Sequence, residues 1–238
     1  MLSLKPWRGE AVLFFIAAQI SCLIFGGGTG ALLHKAGVPG FRADSNFGTI
    51  FLETFSFQGV ACFLMWIFFR IHDVDWRDVL GFRKPTLLRS LLLSLGMVIY
   101  VLPVALELQQ VSLAMMEKIH WAPQNEAAVE LMTEAGSIAS KVYLAIFALV
   151  LVPVAEEFIF RGVLFPFIKQ LGFPKTAWIG VNLFFALIHA DAGIFISLFF
   201  LALALTWLYE ITDSLVAPIF AHALFNAANL VVLIKSQT

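Results

Sequence analysis

The segment from Val152 to Gly162, VPVAEEFIFRG, places Glu156, Glu157 and Arg161 inside an apolar run that begins near Val142 and continues past Phe165. Ionisable side chains inside a membrane cost about 2.5 to 3.5 kcal/mol each on insertion scales, and by default they mark a functional site. Two further polar groupings interrupt apolar runs: Asn182, Phe185 and His189, then His222 and Asn226 with Asn229 beyond. The chemistry such a set permits is water activation. A carboxylate without a fixed cation, beside an imidazole in low dielectric, takes a proton from water and later returns it to a leaving amine. A second histidine and an amide from another helix can donate hydrogen bonds to the oxyanion of a tetrahedral intermediate. Hydrolysis of a peptide bond needs both functions.

Helical spacing sorts these residues onto faces. Glu157 and Arg161 are four apart and share a face, where a buried ion pair neutralises both charges. Glu156 lies about 100° around the helix and has no partner on its own element. One glutamate is therefore expected to serve structure and the other chemistry, although a Glu–Arg pair in a span is often only a helix lock. Pro153, three residues before Glu156, removes a backbone donor and is expected to bend the helix there. His222 and Asn226 are also four apart, with Pro218 one turn earlier, while Asn182, Phe185 and His189 form one stripe. Glu156 is sixteen residues before Gly172 and His189 seventeen after it. At 1.5 Å per residue each is about 25 Å from that turn, so a helical hairpin would set both at similar depth.

The elements that must carry these residues follow from composition. The chain has 238 residues, is 61% hydrophobic and is only 13% charged, half the share usual in soluble domains. Apolar runs near 10 to 27, 48 to 71, 87 to 107, 142 to 167, 176 to 190, 194 to 211 and 214 to 234 approach the roughly 20 residues needed to cross hydrocarbon. The expected fold is all-α, a polytopic membrane helix bundle of about seven (six to eight) spans. It is read as one integral membrane domain over 1–238, with accessory spans and loops in 1–140 and the polar constellation in 140–232. The fifth run is short, and HADAG breaks it. Such a break is tolerated in a bundle only where its free backbone groups are buried in protein or line a wet cavity.

Lys5, Arg8, Arg70, Arg77, Arg83, Lys84, Arg89, Lys169 and Lys175 fall on one side of a seven-span layout, and Lys35, Arg42, Lys118, Lys141 and Lys235 on the other. That bias predicts a cytoplasmic N-terminus. The run after Lys5 and Arg8 reads as an uncleaved first span more readily than as a signal peptide, since no clear A-x-A site follows. FGGGTG lacks the lysine and hydroxyl residue of a phosphate loop and is expected to form a flexible turn. Arg70 to Pro85 reads as a partly helical interfacial connection. Gln109 to Lys141, with Glu117, Glu126, Glu130 and Glu134 and a break at WAPQN, reads as an outside loop with one or two surface helices.

The net charge of −1 offers no footprint for nucleic acid. Cys22 and Cys62 lie in spans with no zinc-like spacing and read as packing residues. His34, His72 and His120 fall in predicted loops without ligand spacing. Aromatic runs such as FLMWIFF and SLFFLALAL read as lipid-facing or packing surface.

Together, EEFIFR (Glu156, Glu157, Arg161), FALIH (Phe185, His189) and HALFN (His222, Asn226) resemble the EExxxR, FxxxH and HxxxN motifs of the CAAX-protease and bacteriocin-processing family, also called the Abi or type II CAAX prenyl endopeptidase family. The resemblance covers roughly residues 140 to 232, and its three motifs fall in order on successive apolar spans. It implies a multi-span α-helical intramembrane endopeptidase in which Glu156 and His189 activate water, His222 and Asn226 hold the oxyanion, and Glu157, Arg161 and Phe185 support the site. It leaves metal dependence open. No cofactor is favoured, because HExxH is absent and the motif histidines lie on different helices; a zinc ion, if present, would sit on Glu156, His189 and His222.

The expected substrate is a lipidated or membrane-associated protein or peptide: a prenylated tail, a bacteriocin leader or a sorting segment. Short loops and compact length point to a bacterial inner membrane. Two other classes use the same polar core: a non-catalytic scaffold or immunity-type binding protein of the family, and a proton-coupled transporter. A water-activating carboxylate is superfluous to the first. The second is disfavoured because the uneven spans show no inverted repeat.

Overall fold

The computed structural model describes residues 2–41, 47–82, 87–120 and 138–236. Arg42, Arg83, Lys84, Glu126, Glu130, Glu134 and the WAPQN break lie outside them. All regular secondary structure among the described residues is helical. Four helices are long and apolar enough to cross a membrane, namely Gly9–Lys35, Leu87–Lys118, Lys141–Gln170 and Phe195–Thr212, and shorter apolar helices cover Phe55–Ile71 and Val216–Val232. The protein is a polytopic helical membrane bundle. Large apolar side chains such as Phe14, Phe25, Ile99, Tyr100 and Trp207 are exposed on these helices, as suits a lipid-facing surface.

The chain divides into two compact units, Pro6–Trp76 and a second made of Met1–Lys5 with Arg77–Thr238. The first contains α1 (Gly9–Lys35), α2 (Phe47–Thr54) and α3 (Val60–Ile71), the last two joined by a π-helical turn, Phe55–Gly59. The glycine run expected to be a turn is helical, and α1 continues through it to Lys35. A β-carbon on Gly26 would run into the Ser56 side chain, so small residues let these backbones approach closely, and in hydrocarbon an unravelled turn would strand its amides. Across the same contact Gln19 Nε2 donates to the Phe57 carbonyl at 2.8 Å. His72, packed on the Trp7 and Phe68 rings, accepts from the Arg8 N–H through Nε2 at 2.9 Å, and its Nδ1 faces the Phe68 carbonyl at 2.8 Å.

The helical part of the interfacial connection is α4 (Trp76–Leu80), which belongs to the second unit from Arg77 onward. Gly81 follows at φ +88°, against Ser214, whose Oγ donates to the Leu80 carbonyl at 2.9 Å; a side chain at 81 would be strained and would have no room. Next come α5 (Leu87–Lys118) and α6 (Ile138–Ile146), then α7 (Val152–Glu157) and α8 (Phe165–Gln170), then α9 (Pro174–Leu187), α10 (Phe195–Thr212) and α11 (Val216–Ser236). The core forms where Met97, Val98, Val101 and Ala105 of α5 meet Leu201, Leu205 and Leu208 of α10 and Ala217, Ala221 and Phe225 of α11. Packing thus places α5 with the motif-bearing helices, whereas the motifs alone group residues from 140 onward.

The α5 helix also corrects the expected loop from Gln109, since it continues to Lys118. Its 32 residues span about 48 Å at 1.5 Å per residue, well beyond 30 Å of hydrocarbon. Nothing in LQQVSLAMMEK breaks a helix, and the extension has something to pack against. Leu113 and Met116 approach Gly193, and Ser112 Oγ donates to the Ala192 carbonyl at 3.4 Å, so the helix supports the α9–α10 connection.

Candidate active site

Two prolines shape the helix that carries the glutamates. A proline inside a helix lacks the donor to i−4 and clashes with that carbonyl, and widening the preceding turn relieves the clash. Here π-helical segments, Phe147–Leu151 and Phe158–Leu164, precede Pro153 and Pro166. In the first, the Val152 N–H reaches back five residues to Phe147; in the second, the Phe165 N–H reaches back five to Phe160. The expected bend at Pro153 is thus a widened turn. One consequence reaches the site: the Ala148 carbonyl loses both helical donors, Val152 to Phe147 and residue 153 to proline. Asn226 Nδ2 of α11 donates to that carbonyl at 2.9 Å.

Glu156, Glu157 and Arg161 are all buried. Glu157 Oε1 accepts from Arg161 Nη1 at 3.0 Å. The same oxygen faces His222 Nδ1 at 2.9 Å, so the carboxylate joins its own helix to α11 and fixes one ring nitrogen of the histidine. The guanidinium is held from the far side as well. Its Nε donates to Thr206 Oγ1 at 3.3 Å and its Nη2 to the Ala202 carbonyl at 2.9 Å and Asn182 Oδ1 at 3.4 Å. The Phe185 ring lies beneath it, 4.7 Å from Cζ.

Glu156 stands apart from this network. Its Oε2 is buried with no hydrogen-bond partner, and His222 Nε2 lies 3.9 Å away, outside hydrogen-bond range. A buried acceptor left unsatisfied costs about 1 to 3 kcal/mol, more if charged.

His189 is half-buried just past the end of α9, and its Nδ1 faces the Phe185 carbonyl at 2.8 Å. A ring nitrogen against a carbonyl carries the proton, so in the neutral ring Nε2 holds the lone pair. Ala190 follows at φ +53°, an uncommon conformation for alanine, and its N–H bonds the Leu187 carbonyl at 3.1 Å. The Phe185 ring sits between the two histidines, 4.9 Å from the His189 ring and 6.0 Å from the His222 ring.

The structure thus brings Glu156, Glu157, Arg161, Phe185 and His222 together, sets His189 on the other side of Phe185, and ties Asn226 to the widened turn. No hydrogen bond or ion pair joins His189 to Glu156 among the described residues. Thr206 and the Ala202 carbonyl had no place in the motif pattern. The one available signal was a lone threonine in an apolar stretch, LFFLALALTW. A zinc ion would require Glu156, His189 and His222 to converge. Among the described residues no group of three His, Cys, Asp or Glu side chains is arranged to hold a metal, so this donor set does not fit one.

Residues 138–228 match a family model described as type II CAAX prenyl endopeptidase Rce1-like. No curated protein and no solved structure matches the chain. The matched segment contains all the motif residues and most of each helix that supplies them, with α11 running on past it to Ser236. That segment is thus similar to the Rce1-like family of type II CAAX prenyl endopeptidases.

Proposed function

We propose that the protein is an intramembrane endopeptidase that hydrolyses a peptide bond in a lipidated or membrane-associated protein or peptide, with Glu156 as general base. The observation that carries this reading is the contrast between two adjacent buried glutamates. Glu157 Oε1 is taken up by Arg161 and His222, although its Oε2 is buried without a partner, whereas Glu156 accepts no hydrogen bond among the described residues and its buried Oε2 lies 3.9 Å from His222 Nε2. A buried carboxylate that no hydrogen bond holds is poised to take a proton.

In this mechanism water gives a proton to Glu156, and its oxygen attacks the substrate carbonyl carbon. His189, with its Nδ1 proton on the Phe185 carbonyl, accepts a hydrogen bond from the water through Nε2 and orients it. The tetrahedral oxyanion accepts from His222 Nε2–H and from the Asn226 N–H that Ala148 does not use. A ring that donates from Nε2 while Glu157 holds Nδ1–H is an imidazolium, and the Glu157 carboxylate stabilises it. Glu156 then passes its proton to the amine nitrogen as the C–N bond breaks, leaving a carboxylic acid and an amine. No step is routed through a metal. The distribution of Lys and Arg supports a cytoplasmic N-terminus, and the short loops a bacterial inner membrane.

The test is cleavage of a pooled library of membrane-anchored peptides by the purified protein in nanodiscs, read by mass spectrometry with and without a zinc chelator. Defined cleavage that survives chelation is expected, and His189→Ala or His222→Ala should abolish most of it. Loss on chelation restored by zinc would overturn the metal-free mechanism. Peptide binding without cleavage by the wild type would favour the scaffold class.

A further inference from the structure

Resting on the reading of His222 as an oxyanion donor, we propose that Thr206 is a positioning residue for catalysis: its hydroxyl sets the Arg161 guanidinium, through which Glu157 holds His222. Thr206 is fully buried in α10, a helix that carries none of the motif residues. It touches the reacting groups only through others.

The hydrogen bonds around it run in one direction. Asn182 Nδ2 donates to the Trp178 carbonyl at 2.7 Å, which fixes the amide and leaves Oδ1 as an acceptor. Thr206 Oγ1 donates its single proton to that Oδ1 at 2.7 Å, so only its lone pairs face Arg161 Nε. Nη2 is then held by the Ala202 carbonyl and Asn182, and Nη1 is turned onto Glu157. The chain ends where Glu157 Oε1 meets His222 Nδ1.

A guanidinium is a planar fork, so fixing Nε and Nη2 fixes the direction of Nη1. Without the Thr206 oxygen, Nε–H would be buried without an acceptor, and the fork would turn to recover one. Glu157 would shift with it, and His222 Nε2 would leave its position 3.9 Å from Glu156. The loss would fall on the transition state, because His222 contacts the oxyanion and not the bound ground state.

The test is a double-mutant cycle in nanodiscs with a peptide cleaved by the wild type, using Thr206→Val, Thr206→Ser, His222→Ala and Thr206→Val/His222→Ala. Thr206→Val should lower kcat by about 10-fold or more with KM within about 2-fold, and Thr206→Ser should restore kcat to within about 3-fold of wild type. In the His222→Ala background, Thr206→Val should change the residual rate by less than about 2-fold, because its effect passes through the missing ring. An undiminished kcat in Thr206→Val, no rescue by serine, or the same loss in both backgrounds would overturn the proposal. Full activity in His222→Ala would instead overturn the functional reading, a separate outcome. Thr206→Cys, close in size with a weak acceptor, replaces the valine variant in the cycle if that variant does not fold.

Discussion

Replacing Arg161 by methionine removes the cation from a fully buried pair and leaves Glu157 facing His222 alone. Breaking a buried ion pair by deleting one partner costs about 3 to 5 kcal/mol, because an uncompensated charge stays buried. Here the change also takes the Arg161 donors from Thr206 Oγ1 and the Ala202 carbonyl, while Asn182 Oδ1 keeps its bond from Thr206. For a chain of this size each kcal/mol shifts Tm by roughly 2 to 4 °C, so a fall of about 6 to 20 °C is expected. Thermal unfolding in detergent, followed by circular dichroism or tryptophan fluorescence, reads it directly. Glu157→Leu/Arg161→Met, which removes both charges, should recover at least half of the lost stability, since apolar replacements of buried pairs are often neutral. Activity should not return in the double variant, because His222 has lost the carboxylate at Nδ1. A fall in Tm below about 2 °C for Arg161→Met would refute the argument that this pair anchors the helix, and an active double variant would refute the orienting role of Glu157.

Asn226→Ala should lower kcat by about 100- to 1,000-fold with a much smaller change in KM, as expected for one oxyanion donor; steady-state cleavage kinetics check it, and a change confined to KM would contradict it. Ala190 has a left-handed backbone next to His189, a conformation that costs an L-residue about 1 to 2 kcal/mol, partly offset in glycine by unfolded-chain entropy of about 0.4 to 1 kcal/mol. Ala190→Gly should therefore leave Tm unchanged or raise it slightly, whereas Ala190→Val should lower it; a loss of stability in the glycine variant would show that the strain argument is wrong.

The motif residues were legible because helical spacing alone fixes which side chains share a face. Glu157 and Arg161, four residues apart, form the pair that spacing requires. Spacing is silent about what stands across the gap. That Glu157 also holds His222, and that Thr206 and Asn182 hold Arg161, depends on how α9, α10 and α11 pack, which no local pattern encodes. Pro153 announced a disturbance, but a bend and a widened turn look alike in sequence. The partnership of Asn226 with the Ala148 carbonyl follows only once the turn is known to be π-helical. The glycine run of α1 misled for a related reason: glycines that permit a turn in water permit close helix packing in a membrane, and Ser56 decides between them. The extension of α5 to Lys118 was hidden because its polar residues look like a loop until its contacts near Gly193 are seen.

The central claim is that the unpartnered carboxylate of Glu156 is the base, and the most direct measurement is kcat for wild type and Glu156→Gln on one cleaved peptide, with and without a zinc chelator. The glutamine keeps the shape and removes the proton acceptor, so kcat should fall by about 100- to 10,000-fold while KM holds, and the wild-type rate should be indifferent to chelation. A Glu156→Gln variant that cleaves at the wild-type rate, or a wild-type rate that vanishes on chelation and returns with zinc, would contradict the account.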